Sequence, residues 1–333
     1  MLYGIAGRAA PRRHRGNFGL LPPRPQTSSK YVKESEFKVS NAVLYVAAIL
    51  IWGSTWIAIK FQLGVVPPAV SVMWRFLAAA AILFAVAGAK RLPLRFSRVN
   101  HLWMLLQGLL LFCLNYIGFY LSEQHLASGL VAVLCSLLAI GNIVGSRVFF
   151  GVKTHFLNLT GALVGIIGVA LLFWPELRAF SVQSGSGLGI VFGLAATLSA
   201  SLGNMVATRN QRQALPIIQM TGWSMLYGAV LTAMLAVATG QRCAFDWSWA
   251  YIISLAYLAV FGSVLAFLAY LTLLGRIGAN RAGYSMVATP VVALLISTAL
   301  EGIRWSGLMM MAVALCVVGN LMVLRRDASR QVL

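Results

Sequence analysis

Apolar residues run in long blocks from about residue 42 to residue 324, with almost no polar spacers between them. The blocks fall at about 42–61, 69–88, 101–121, 128–148, 156–175, 187–207, 216–238, 249–271, 282–301 and 305–324. A helix rises about 1.5 Å per residue and the hydrocarbon layer of a bilayer is about 30 Å thick, so about 20 apolar residues cross it. The pattern predicts an all-α membrane protein with ten transmembrane helices. Three blocks lie in stretches free of Asp, Glu, Lys and Arg: Ser181–Thr208, Ala214–Gln241 and Trp247–Gly275. The second block is the least regular, because it contains Arg75.

Composition agrees. Hydrophobic residues make up 60% of the 333 and charged residues only 10%, with a mean hydropathy of +0.84. A soluble domain carries about 25% charged residues, so a water-soluble globule and a disordered chain are both excluded. The formal net charge is +19, but no basic stripe interleaves with aromatics as a nucleic-acid surface needs. The positives sort instead by topology. With the amino terminus inside, 21 of the 26 Lys and Arg fall on inner segments, and five (Lys60, Arg75, Arg178, Arg242, Arg304) on outer ones. That alternation is the positive-inside pattern of an even number of spans with both termini cytoplasmic. Residues 1–40 hold eight of the positives and the stretch Leu21-Pro22-Pro23-Arg24-Pro25, with no signal-peptide core and cleavage site. They read as a disordered cytoplasmic tail; a start codon placed too far upstream would give the same pattern. Cys113, Cys135 and Cys316 lie in apolar blocks and Cys243 in a loop, with no disulfide or zinc spacing.

Sliding the chain on itself by 151 residues sets Gly151 on Gly302, Gly168 on Gly319, and Leu126-Ala127-Ser128 on Ile277-Gly278-Ala279. Pro67 and Pro216, each opening a span, lie 149 apart. The first five spans thus match the last five. Five is odd, so the second copy enters from the opposite side, giving two inverted five-helix repeats with the solute site between them near the midplane. The implied organisation is a basic tail over 1–40, repeats over 41–177 and 178–325, and a cytoplasmic tail over 326–333. Gly141-xxx-Gly145, Gly161-xxx-Gly165 and Gly189-xxx-Gly193 have helix-contact spacing. Gly141 and Gly161 predict a tight hairpin of the fourth and fifth helices.

Ile51-Trp52-Gly53-Ser54-Thr55-Trp56-Ile57-Ala58-Ile59-Lys60, then Pro67-Pro68, then Trp74-Arg75-Phe76, resembles the first two helices of the EamA family of the drug/metabolite transporter superfamily. Gly278-Ala279-Asn280-Arg281-Ala282 through Thr289-Pro290-Val291 resembles its ninth helix. The resemblance covers about residues 42–324. It implies ten helices, both termini inside, and export or exchange of small metabolites such as amino acids. The chain departs from the family where Val152 and Ile303 stand in place of a glutamate after Gly151 and Gly302, and where Ala139 stands in place of a proline matching Pro290. Roles tied to those residues, including a symmetric pair of proline-bent helices, do not carry over.

No Asp or Glu lies near the middle of a span, and His14, His101, His125 and His155 sit in the tail or at helix ends. This argues for facilitated transport or exchange over antiport through a midplane acid; Glu301, at a helix end, is the best remaining acid. Arg75 either snorkels to the surface or lines a wet cavity, where its fork suits a carboxylate. Lys60 reads as an interfacial anchor. Asn115, Asn142 and Asn204 lie inside apolar runs and need interhelical partners or a solute. The substrate-binding set expected from these arguments is Trp52, Ser54, Arg75, Asn115, Tyr116, Asn204, Trp223, Tyr227, Tyr284 and Pro290, with Trp56, Tyr120 and Tyr270 as further polar or aromatic walls. Pro290 breaks a backbone ladder and either bends its helix or frees a carbonyl.

Catalytic and ATP-binding motifs are missing, and no cofactor or metal site is expected. The expected function is a secondary transporter of the bacterial inner membrane, exporting or exchanging small metabolites by alternating access. The alternatives are an importer or multidrug efflux carrier of the same fold, and a membrane-embedded enzyme acting on lipid substrates. The expected partners are a small-molecule substrate and the lipid bilayer, with a homodimer left open.

Overall fold

A computed structural model of the chain describes residues 39–152, 156–172, 174, 185–283, 285–302 and 304–328. The described residues are almost wholly helical: α1 (Asn41–Lys60), α2 (Pro68–Ala89), α3 (Arg98–Glu123), α4 (Ser128–Phe150), α5 (Phe156–Leu172), α6 (Gly185–Arg212), α7 (Ile217–Ala238), α8 (Trp249–Ala279), α9 (Ser285–Glu301) and α10 (Gly307–Ala328). Among the described residues seven helices, α1–α4 and α6–α8, are long and apolar enough to cross a bilayer. The other three carry shorter apolar stretches, Leu163–Leu172, Thr289–Glu301 and Gly307–Gly319. This is an all-helical membrane protein.

Its polarity is inverted relative to a soluble fold. Large apolar side chains such as Val148, Phe156, Leu198 and Leu295 are exposed, while Ser71, Asn142, Asn204 and Thr232 are wholly buried. Lipid accepts the first set, and interhelical hydrogen bonds satisfy much of the second. Local signals set the helix starts. The Ser40 and Ser97 hydroxyls cap the first turns of α1 and α3, accepting from Val43 N and Asn100 N at 3.3 Å each. Pro68 opens α2 at the position where its missing N–H costs nothing.

Positions related by the 151-residue offset do the same work. Gly151 stops α4 with φ 66 and Gly302 follows α9 with φ 70, a left-handed conformation that other residues adopt only at a cost. Ala127, the N-cap of α4, is extended (φ −63, ψ 145), and its counterpart Gly278 breaks the helical backbone with φ 85, ψ 158. That break ends the helical run of α8, which therefore extends past residue 271, the limit expected from the apolar block. Gly108–Leu114 of α3 and Leu258–Leu265 of α8 both wind as π-helical turns. In α4 the backbone tightens at Leu137, where N–H groups bond three residues back (Leu137 N to Leu134 O, 3.2 Å; Ile140 N to Leu137 O, 3.0 Å), whereas α9 contains Pro290.

The small-residue motifs find other partners than the expected α4–α5 hairpin. Gly141 and Gly145 pack on Ser201 and Met205 of α6, and Gly168 lies against Ala312 and Cys316 of α10. Gly319 of α10 in turn meets the backbone of Gly161 and Gly165. Close helix approach is present, but it joins the first half of the chain to the second.

Candidate functional site

Helices from both halves enclose a cavity of about 60 Å³. From α1 come Trp52, Thr55, Trp56 and Ile59; from α2 Arg75; from α3 Leu111, Asn115, Tyr116 and Phe119; and from α4 Cys135 and Leu138. The second half adds Ala200 and Asn204 of α6, Phe267 and Tyr270 of α8, and Met286 of α9. Trp52 and Trp56 share a face because four residues make about one helical turn. Trp52 packs on Phe267 and Tyr270 at 5.2 and 5.1 Å between ring centroids, and Trp56 on Phe119 at 5.1 Å. At this volume the cavity has room for a few waters.

Arg75 is 1% exposed, so it does not snorkel. Its Nε donates to Ser263 Oγ at 2.9 Å, and its guanidinium carbon lies 4.6 Å from the Tyr116 ring centroid. The arginine fits because residue 262 is glycine: a Cβ there would stand 3.0 Å from Nη2. The π-helical turns supply the rest of the frame. Widening a helix frees carbonyls, and side chains of other turns take them up. Trp52 Nε1 donates to Gly262 O (3.1 Å), Ser199 Oγ to Leu110 O (2.7 Å) and Asn115 Nδ2 to Leu111 O (3.3 Å).

Several polar atoms of the lining lack a protein partner among the described residues: the donors Trp56 Nε1 and Arg75 Nη1, and the acceptors Asn115 Oδ1 and Asn204 Oδ1. The Asn204 amide donates to Tyr270 Oη (2.9 Å) and Asn142 Oδ1 (3.2 Å), which fixes its oxygen as the free end. Ser263 and Tyr270 are seven residues apart on α8, about 10 Å along its axis, so the arginine and Asn204 stand at different levels. Buried, unpaired polar atoms are costly, and here they converge on one cavity with donors and acceptors both offered.

Where α1 and α3 finish, a second polar cluster closes the bundle. Lys60 Nζ lies 3.7 Å from Glu301 Oε1 and donates to the carbonyls of Glu123 (2.7 Å) and Leu126 (3.0 Å). Glu301 accepts from Ser128 N at 3.1 Å and from the hydroxyls of Ser128 and Ser297. Lys60 thus holds a half-buried ion pair between α1 and α9 and is more than an interfacial anchor.

Of the expected set, Trp52, Arg75, Asn115, Tyr116 and Asn204 meet at the cavity, with Trp56 and Tyr270. Ser54 does not: two residues from Trp52 puts it about 200° around α1, where it bonds Leu50 O, Ile51 O and Tyr257 Oη. Trp223 and Tyr227 stack on each other and pack around His101, with Trp223 Nε1 donating to Leu94 O (3.2 Å) and Tyr227 Oη 2.8 Å from His101 Nδ1. The face of α7 that carries them turns toward the start of α3, not the cavity. Pro290 is buried in α9 one turn beyond the lining residue Met286. Tyr284 lies outside the described residues. Thr55 and Phe119 were legible as one-turn neighbours of Trp52 and Asn115; nothing in the pattern singled out Phe267 or Met286.

The family model for the EamA-like transporter family matches residues 40–174 and 187–325. The "Uncharacterized inner membrane transporter YedA" of Escherichia coli K12 is 30% identical over 286 residues, covering 82% of this chain and 89% of its own. The "Probable amino-acid metabolite efflux pump" of the same strain is 27% identical over 290 residues, covering 84% and 93%. A solved crystal structure, 20% identical, superposes with a TM-score of 0.67 over 88% of this chain and 99% of its own, and so shares the fold.

Proposed function

The chain belongs to the EamA-like transporter family, and we propose that it moves a small zwitterionic metabolite, an amino acid or a relative of one, through the cavity between its two halves. The family is one of transporters, so the enzyme reading is set aside. The observation that carries the proposal is the unpaired set Trp56 Nε1, Arg75 Nη1, Asn115 Oδ1 and Asn204 Oδ1 on one aromatic-walled cavity. The two donors suit a carboxylate, Asn115 Oδ1 an ammonium, and Asn204 Oδ1 a donor further along the solute. The amino-acid efflux named for one relative fits that chemistry.

In this reading ten helices span the bacterial inner membrane with both termini cytoplasmic. Residues 41–177 and 178–325 form inverted repeats that rock about the seam. The 21-to-5 split of positives and the repeat-related stops and π-helical turns support it. Direction follows the gradients, so export, exchange and import are outcomes of one cycle.

The test begins with metabolites of the medium from cells with and without overexpression, followed by counterflow of the hits in liposomes. Arg75→Lys keeps the charge and loses the fork. Transport equal to wild type in that variant sinks the carboxylate clamp. Equal transport of bulky cations and amino acids would favour multidrug efflux. Tags on the two termini that react from opposite faces would overturn the topology.

A further inference from the structure

We infer that Glu123 is a proton-binding site, and that its proton latches the end of the bundle where α1, α3 and α9 meet. Glu123 ends α3, is 0% exposed, and neither carboxyl oxygen has a hydrogen-bond partner among the described residues. The neighbouring cation does not reach those oxygens: Lys60 Nζ is bonded to the backbone carbonyls of Glu123 and Leu126 and paired with Glu301. Two acids therefore flank one lysine, and they are treated unequally. Glu301 receives a backbone N–H, two hydroxyls and the ammonium; the Glu123 carboxyl receives no hydrogen bond among the described residues. A bare carboxylate out of water is far costlier than a carboxylic acid, so the unsupported member of the pair is the one that holds the proton.

The ionisable groups acting on this site come from four helices. Lys60 stands on α1, Arg75 on α2, Glu301 on α9, and Tyr120 on α3 itself, with Tyr251 of α8 beyond Tyr120. Arg75 is already engaged by Ser263 and the Tyr116 ring. Tyr120 interacts with both Arg75 and Glu123, and its hydroxyl donates to Gln62 Oε1 at 2.6 Å; Gln62 Nε2 is a further buried polar atom with no partner among the described residues. A polar line thus joins the cavity to Glu123. When the latch opens, Lys60 leaves Glu301, water reaches Glu123, and the proton passes to it, leaving a carboxylate that Lys60 can pair. Low pH favours the latched form, and high pH the open one. The absence of a mid-span acid argued against proton coupling; a helix-end acid drawn wholly inside the bundle restores it.

The link to transport rests on the function proposed above, but the proton itself does not. Infrared spectra of the full chain in phosphatidylcholine–phosphatidylglycerol liposomes read it directly. A carboxylic-acid C=O band at neutral pH, lost in Glu123→Gln, is expected; the same band in wild type and variant overturns the assignment. Should that variant not fold, dicyclohexylcarbodiimide, which labels protonated buried carboxyls, is applied to wild type. An adduct mapping to Glu123 supports the site, and none there overturns it. In counterflow, wild type should change by up to about tenfold per pH unit where Glu123 titrates, and Glu123→Gln should be flat. A pH profile unaltered in Glu123→Gln overturns the coupling and leaves the transport reading intact.

Discussion

In the first half of the chain α3 widens into a π-helical turn at Gly108–Leu114 and α4 stops at Gly151; in the second, α8 widens at Leu258–Leu265 and α9 stops at Gly302. The side chains mounted on these matched frames are not matched. The first half brings Trp56 and Arg75, both with free donors, and Asn115; the second brings Asn204 and Tyr270, and gives Arg75 only a hydroxyl, Ser263, and the space at Gly262. Even the fourth and ninth helices reach their irregularity differently, by a tightened turn at Leu137 and by Pro290. The backbone devices thus recur in the two halves, while the side chains that line the cavity differ between them.

The largest effect should come from breaking the shared frame. Gly168 and Gly319 seat α5 and α10 on each other, and an added Cβ at either would lie 2.5–2.8 Å from backbone of the facing helix. Gly168→Val and Gly319→Val should each destabilise by about 3 kcal/mol, seen as early thermal unfolding in detergent. Equal losses sharpen the symmetry, and one tolerant site breaks it. Next comes the unmatched lining. Arg75→Ala should weaken solute binding by roughly 10–100-fold, measured by counterflow, whereas Ser263→Ala should cost much less. If Ser263→Ala matches Arg75→Ala, the arginine acts as a strut between halves instead of a clamp. Asn204→Leu removes two interhelical bonds and should cost about 1 kcal/mol of stability with altered solute preference. Smallest is Ser54→Ala, for which transport should stay within about twofold, since its hydroxyl serves Tyr257 and its own helix; a large loss would put α1's other face on the path.

The apolar blocks located the helices well because lipid imposes a length and a composition on every span. They placed the end of α8 early, at about residue 271, because the backbone break at Gly278 that ends it lies beyond the apolar block. The cavity was partly legible. Trp52, Asn115 and Asn204 announce themselves as polar or amphipathic groups deep in apolar runs. Trp223 and Tyr227 give the same signal, but their polar ends are satisfied by Leu94 and His101, and one-dimensional spacing does not say which neighbour a helix face will meet. Glu123 was passed over because it sits at a helix end, and position along a helix does not report whether neighbouring helices bury that end. The π-helical turns left no mark in the apolar pattern.

Those turns impose a constraint of their own. A π-helical turn accommodates about one residue more than an α-helical turn, so everything beyond it is swung by about 100°. The start of α3 can therefore lie on α7 through Gly108 while Asn115 and Tyr116 address the interior. Removing a single residue from Gly108–Leu114 would act as a rotation: the seat on α7 survives, and the polar face turns away into the hydrocarbon. In these two short stretches the count of residues matters as much as the glycines Gly108 and Gly262, and natural variants there should show substitutions at the other positions but not single-residue insertions or deletions.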